Sequence, residues 1–278
     1  MGEPISLSFN DRYFYKQDGL GESSYVFING NDLTKRWKRL KKHESFTIGE
    51  LGFGTGLNFL NVLKEWKTFQ REAKLNFISI ERFPLALEDL EKALANFPDL
   101  NHETKDLLQL YPPLSRGFHR INFEEDNVSL TLIFDDVDRG LDDLQKTTKT
   151  FDAWFLDGFS PRENPKMWSS KILSGISNLS HSETTLSSFS AASIIKKSLE
   201  ENDFNISLVD GYKHKRHMIK ACSSSSNIKS NSNRKKIAIV GAGISGSCLA
   251  NSLAKRGHQV TVFEKNTNQK EGIPSFVG

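Results

Sequence analysis

The sequence predicts an α/β protein with an open, doubly wound sheet, followed by a much shorter strand–helix–strand piece. Three observations carry this expectation. Apolar runs of strand length alternate with segments of helical periodicity up to residue 222. Glycine-rich turns join a strand to a helix twice, at 50–56 and at 236–246. Between them, residues 223–236 (SSSSNIKSNSNRKK) hold six Ser, three Asn and four basic residues, with too few apolar side chains to pack. The boundaries expected are therefore a domain over 1–222, a linker over 223–236 and a fragment over 237–278.

In the first unit, 45–51 reads as a strand, 57–66 as an apolar-periodic helix, 75–80 as a strand and 84–97 as a second helix. Further strands are expected at 128–134, 151–156, 184–188 and 206–209, with a helix near 191–201. Strands alternating with helices place ligands at the carboxyl ends of the strands.

A hydrophobic content of 37% with 20 Phe supplies a sizeable core, and 37 basic against 34 acidic residues leave a formal charge of +3. That charge permits RNA contact without demanding it, since affinity depends on local clusters of Lys and Arg. Cys222 and Cys248 have no partner in metal-site or disulfide spacing, so no metal site is expected and a reducing cytoplasm is the default. No run of 18 uncharged apolar residues and no leader pattern is present, so a soluble chain without membrane contact is expected, its oligomeric state left open.

In Glu50-Leu-Gly-Phe-Gly-Thr-Gly56 three glycines alternate after a strand and before a helix. Glycine lets the backbone approach a ligand, and the helix start presents free N–H groups. A dinucleotide site wants GxGxxG; here the spacing is GxGxG behind an acid. Glu50 repels a pyrophosphate and suits a ligand carrying an ammonium and a sulfonium, which points to S-adenosylmethionine. The pattern resembles motif I of class I S-adenosylmethionine-dependent methyltransferases, a Rossmann-like fold. Gly52, Gly54, Gly56 and Asn58 join the cofactor set, and Glu81, ending FISIE, can accept both ribose hydroxyls. Asp135 or Asp136, after the strand 128–134, can reach the adenine; the sequence does not choose between them. The bland alternative is a structural turn with an ordinary surface Glu.

After the strand 151–156 comes Asp157-Gly-Phe-Ser-Pro161. At the sheet's carboxyl edge Asp157 can accept a proton from an amine nucleophile and orient its lone pair; otherwise it caps a turn. Phe159 and Trp168 are candidates to wall a base or sulfonium. Lys213, Lys215 and Arg216, in KHKRH, form a basic cluster suited to phosphate or to plain solvent.

ELGFGTGLNFL at 50–60, FISIERFPL at 77–85 and DAWFLDGFSPRENPKMW at 152–168 together resemble the bifunctional tRNA 5-methylaminomethyl-2-thiouridine biosynthesis proteins. The resemblance extends to FNDRYFYKQDGLGESSYVFINGN at 9–31, SSFSAASIIKKSL at 187–199 and GYKHKRHM at 211–218. It implies an N-terminal domain that methylates the 5-aminomethyl group of a wobble uridine in the tRNA anticodon loop. It also implies a C-terminal FAD-dependent oxidase that first removes a carboxymethyl group. Asp157 would then lie beside the target amine, and Lys213, Lys215 and Arg216 would be candidates for tRNA contact.

The second unit opens in keeping with that resemblance. Lys236-Ile-Ala-Ile-Val-Gly-Ala-Gly-Ile-Ser-Gly246 is a strand followed by GxGxxG, and Glu264 lies 18 residues beyond Gly246. Gly241, Gly243, Gly246 and Glu264 are the expected FAD contacts. The chain stops at Gly278, where a full oxidase would continue, so the expectation is a truncated dinucleotide-binding fragment without oxidase activity. Rival classes are a flavin or nicotinamide oxidoreductase and a noncatalytic RNA-binding module.

Overall fold

The computed structural model describes residues 5–6, 11–12, 18–69, 72–146, 150–158, 162, 164–213, 215–229 and 235–265. The chain forms two compact units, Met1–Ser230 and Asn231–Gly278.

Within the first unit, β1 (Ile5–Ser6) and β2 (Asp11–Arg12) pair antiparallel. The chain continues through α1 (Gly19–Ser23), a π-helical turn (Ser24–Asn29) and α2 (Leu33–Trp37). Then follow β3 (Ser45–Leu51), α3 (Leu57–Lys67), β4 (Lys74–Glu81), α4 (Leu87–Leu94), α5 (Asn101–Leu110), β5 (Gly117–Phe123), β6 (Val128–Phe134), α6 (Val137–Gln145) and β7 (Phe151–Leu156). The unit closes with α7 (Ser170–Asn178), β8 (Ser180–Ser188), α8 (Ser193–Glu200), β9 (Phe204–Asp210) and β10 (His217–Ser223).

One eight-stranded sheet organises these elements in the order β5-β6-β4-β3-β7-β8-β10-β9. Its centre is parallel, and β5 and β10 run antiparallel to their neighbours. The central strands are covered on both faces, so β3 and β7 are buried along almost their whole length, Glu50 and Asp152 included. From Ala153 onward alternate residues serve opposite faces, and the register irregularity between Phe151 and Ala153 puts Phe151 on the side of Trp154. Ala153 and Phe155 join the core under α3, α4 and α5, whereas Phe151, Trp154 and Leu156 join the core under α6, α7 and α8. The result is a helix–sheet–helix sandwich.

Helix α4 starts at Leu87 rather than at Pro84, because Ala86 is extended (ψ 151°) at its N-cap. β8 begins at Ser180, four residues before the apolar signal. β10 slots between β8 and β9, so the sheet is mixed.

The linker expected over 223–236 starts too early. Ser223 ends β10, and the next residues hydrogen-bond back to the domain: Ser224 N donates to Asp203 O (2.7 Å) and Asn227 Nδ2 to Ser180 O (3.0 Å). Lys229 Nζ lies 2.5 Å from Asp152 Oδ1. Polar composition marked this stretch as loop, but backbone partners and one buried carboxylate hold it.

The second unit consists of β11 (Lys236–Val240), α9 (Ile244–Lys255) and β12 (Gln259–Phe263), with the strands parallel and in register from Lys236↔Gln259 to Val240↔Phe263. Among the described residues no helix is long and apolar enough to cross a membrane.

Candidate active site

Beyond the carboxyl ends of β3, β4 and β7 lies a cavity of about 1020 Å³. Its floor is the turn after β3. Gly52 N donates to Ile80 O (2.9 Å), and Gly52 sits at φ 91°, where a Cβ would also run into the Asp157 carbonyl oxygen. Only glycine meets both demands. Gly54 also lines the cavity, and its N–H donates to Glu81 Oε2 (3.0 Å). Glu81 Oε1 accepts from Phe83 N (2.7 Å), so this carboxylate is clamped at the cavity edge by backbone donors. Burial raises its pKa, and those N–H groups partly offset the rise. Gly56 lies behind the turn, where it caps α3 at φ 71° against Phe53.

Asn58, in the first turn of α3, joins three elements. Its Nδ2 donates to Glu50 Oε1 (3.0 Å) and to Asp157 Oδ2 (2.5 Å). Asp157 follows β7 and lines the cavity. Burial pushes its pKa up to about 7, with the Asn58 bond pulling the other way; the Glu22 charge raises it further and that of Lys215 lowers it. Asp157 therefore exchanges its proton near neutrality.

Glu50 does not line the cavity, contrary to the expectation that it meets the ligand's cationic groups. It is 1% exposed on the strand face that α3 covers, and Ser79 Oγ donates to its Oε2 at 2.7 Å. Burial, then the nearby Asp157 charge, push its pKa well above the usual carboxylate range.

Of the two acids after β6, Asp136 lines the cavity and pairs with Arg82 (2.8 Å). Asp135 is turned into ion pairs with Arg116 (2.6 Å) and Arg139 (2.9 Å), and although burial opposes it, these partners hold its pKa below the usual value. Trp168 is not a cavity wall either. It is 2% exposed within the core under α7, because the 3₁₀ turn Pro165–Trp168 points Met167 to the cavity and Trp168 inward. Phe159 lies outside the described residues.

The basic cluster divides. Lys215 lines the cavity, 2.6 Å from Glu22 and 4.3 Å above the Phe189 ring. Lys213 turns outward to Asp18 (2.8 Å), which also accepts a hydrogen bond from Tyr212; Arg216 is exposed and does not line the cavity. Glu22 and Phe189 are cavity residues that pattern reading did not single out, since their partner Lys215 is remote in sequence.

In the second unit Gly241 is at φ 97° and donates to Phe263 O (2.7 Å). A Cβ on Gly246 would strike Gly241 O, and the extended Gly243 precedes α9. Glu264 Oε2 accepts from Ala242 N (2.7 Å). This is the tight turn and close helix packing that a dinucleotide fingerprint requires.

The family model for S-adenosyl-L-methionine-dependent methyltransferases matches residues 98–224, and that for NAD(P)-binding Rossmann-like domains matches 239–268. The tRNA 5-methylaminomethyl-2-thiouridine biosynthesis bifunctional protein MnmC of Acinetobacter baylyi is 42% identical over 273 residues, covering 95% of this chain and 44% of that protein. The protein of the same name from Legionella pneumophila strain Lens is 39% identical over 289 residues, covering 94% and 43%. The chain thus spans less than half the length of the curated relatives it matches. The crystal structure of MNMC2 from Aquifex aeolicus superposes with a TM-score of 0.63 at 22% identity, over 81% of this chain and 67% of that one. The first unit has the class I S-adenosylmethionine-dependent methyltransferase fold, and the chain belongs to the family of the tRNA 5-methylaminomethyl-2-thiouridine biosynthesis bifunctional proteins.

Proposed function

We propose that the first unit transfers a methyl group from S-adenosylmethionine to the 5-aminomethyl nitrogen of the wobble uridine in a tRNA anticodon loop, in the cytoplasm. One observation carries the reading: Asp157, a carboxylate poised near pH 7, shares one cavity with the Gly52–Gly54 turn and Glu81. The residues fit the methyl donor. Gly52 and Gly54 leave room for its methionyl part, Glu81 accepts from its ribose, and Asp136 is placed for its base. When bound, S-adenosylmethionine supplies a sulfonium-activated methyl group and leaves as S-adenosylhomocysteine.

The chain's own residues govern the nucleophile. An alkylamine is largely protonated at neutral pH and has no lone pair to give. Asp157 accepts the proton, Asn58 holds the carboxylate that receives it, and the partly buried site favours the neutral amine. Lys215, at the cavity rim, is suited to a phosphate of the incoming strand.

Incubation with S-adenosylmethionine and tRNA bearing an aminomethyl wobble uridine is expected to add one methyl group to that nucleoside by mass analysis. An unchanged nucleoside mass sinks the reading. Because the ionised form of Asp157 is the acceptor and its pKa is raised to about 7, kcat/KM is expected to fall on the acid side of about pH 7. A flat profile between about pH 5.5 and 8 removes the acceptor role. Glu81→Ala is expected to weaken S-adenosylmethionine binding by about 10–100-fold, the worth of charged hydrogen bonds; calorimetry returning the wild-type Kd rejects the ribose assignment.

A second reading, an FAD-dependent oxidoreductase acting on carboxymethylaminomethyl uridine of tRNA, is favoured by the Gly241–Gly246 turn and Glu264. Those residues suit the ADP half of FAD. Val240, Ile244, Leu249 and Phe263 are exposed, so the described residues of this unit offer no closed apolar wall for a flavin ring. The purified chain is expected to be colourless; flavin absorbance at stoichiometric occupancy would overturn that expectation.

A further inference from the structure

Glu50 stands in the cofactor motif, yet its side chain points away from the cofactor space. Both its oxygens are occupied from within the protein: Asn58 Nδ2 donates to Oε1 at 3.0 Å and Ser79 Oγ to Oε2 at 2.7 Å. It has no cation among these partners, and it is 1% exposed. A buried carboxyl with only neutral donors is an expensive feature unless it organises something. What it organises is the Asn58 amide. A primary amide has two N–H bonds diverging from one nitrogen, and here the second is spent on Asp157 at 2.5 Å. Glu50 also settles which way the amide is turned, since the reverse orientation would set the Asn58 oxygen against two carboxyls.

We propose that Glu50 is a positioning residue for the proton acceptor: through Asn58 it fixes the Asp157 carboxyl at the cavity wall and does not contact the methyl donor. The proposal rests on the reading of Asp157 as the acceptor. Three further groups face this array from other elements. Glu22 on α1 and Lys215 before β10 act on Asp157 with opposite sign, and Glu81 ending β4 acts on Glu50. Burial, then the nearby Asp157 charge, raise the Glu50 pKa well above the usual carboxylate range.

The test follows the Asp157 carboxyl directly, by side-chain carbon-13 NMR of the full chain, with Asp157→Asn assigning the resonance. Asn58→Leu removes the donor and is expected to raise the midpoint by about half a pH unit or more. Glu50→Leu leaves Asn58 without its inner anchor and is expected to move the midpoint in the same direction. Glu50→Gln, whose amide oxygen still accepts from Asn58, is expected to keep the wild-type midpoint. S-adenosylmethionine affinity in Glu50→Leu is expected to stay within about threefold of wild type, because the side chain does not line the cavity. Glu50→Met, of similar length and without an acceptor oxygen, replaces the Leu variant if that chain does not unfold cooperatively. A midpoint at or below the wild-type value in the acceptor-free variants, together with an affinity loss of about tenfold, overturns the proposal and makes Glu50 a cofactor contact. Methyl transfer by Asp157→Asn at the wild-type rate would sink the functional reading instead, while the titration would still report the Glu50–Asn58–Asp157 coupling.

Discussion

Asp157→Ala is expected to lower kcat for methyl transfer by about a thousandfold, the middle of the range for a positioned acid or base, with S-adenosylmethionine binding as in the wild type. The separation follows from the geometry. The turn at Gly52 and Gly54 and the clamped Glu81 belong to β3 and β4, whereas the Asp157 carboxylate enters from β7 and is tied to β3 through Asn58. Removing it takes away the proton acceptor and leaves the ribose side intact. Single-turnover methylation at saturating donor is the measurement, and a loss confined to donor affinity would place Asp157 in the cofactor site instead.

A stability measurement guards that result against a trivial cause. The folded pKa of Asp157, about 7, lies above the unfolded one, so its ionised form opposes folding as pH rises from about 4 to 7. Asp157→Asn, which cannot ionise, is therefore expected to melt higher than wild type at pH 7.5 and to be nearly inactive. An inactive variant with a raised Tm has lost chemistry and kept its fold.

Asp152→Ala, at the opposite end of the same strand, is expected to cost about 3–5 kcal/mol of stability and to leave the chemistry of the surviving folded fraction unchanged. Asp152 is 2% exposed. Its Oδ2 accepts from Thr47 N (2.7 Å), and its Oδ1 faces His181 Nε2 (3.3 Å) and Lys229 Nζ (2.5 Å). His181 Nδ1 accepts from Glu183 N (3.1 Å), which leaves the proton on Nε2, directed at Asp152. Truncation strands a strand N–H, a buried imidazole and a lysine at once. Burial alone would raise the pKa of Asp152, but His181, Lys229 and the Thr47 N–H together pull it below the usual value. The folded pKa is the lower one, so the stabilisation is present above about pH 4 and is lost as pH falls through the folded pKa. The gap between wild type and variant in chemical denaturation should therefore narrow below about pH 4. Hydrogen exchange in residues 224–229 should rise as well, because Lys229 holds the end of that segment.

Asp152 illustrates why the fold was more legible than the site. β3, β4, β6 and β7 were readable to within a residue or so because strands covered on both faces are mostly apolar, which leaves a local mark in sequence. The helices α5 and α6 left a weaker one: among α5 residues only Glu103 and Leu107 are buried, and α6 carries Gly140 in its interior. β10 was obscured by the basic residues preceding it, and its place between β8 and β9 depends on pairing partners far along the chain.

The sequence by itself located the glycine turn after β3, Glu81 at the end of β4, Asp157 after β7 and the second glycine turn at Gly241–Gly246. Each leaves a local mark, a glycine spacing or an acid at the end of an apolar strand, even though the contacts it makes are remote, as Asn58 to Asp157 across 99 positions shows. Tertiary structure alone decided which acid after β6 faces the cavity, that Trp168 is core, that Lys215 and not Lys213 reaches inward, and that Glu50 holds Asn58 instead of a ligand. Those outcomes depend on which face of an element is covered and by what. Glu22 meets Lys215 across 193 positions, and no local pattern encodes a contact whose partners are chosen by the packing of the whole sheet.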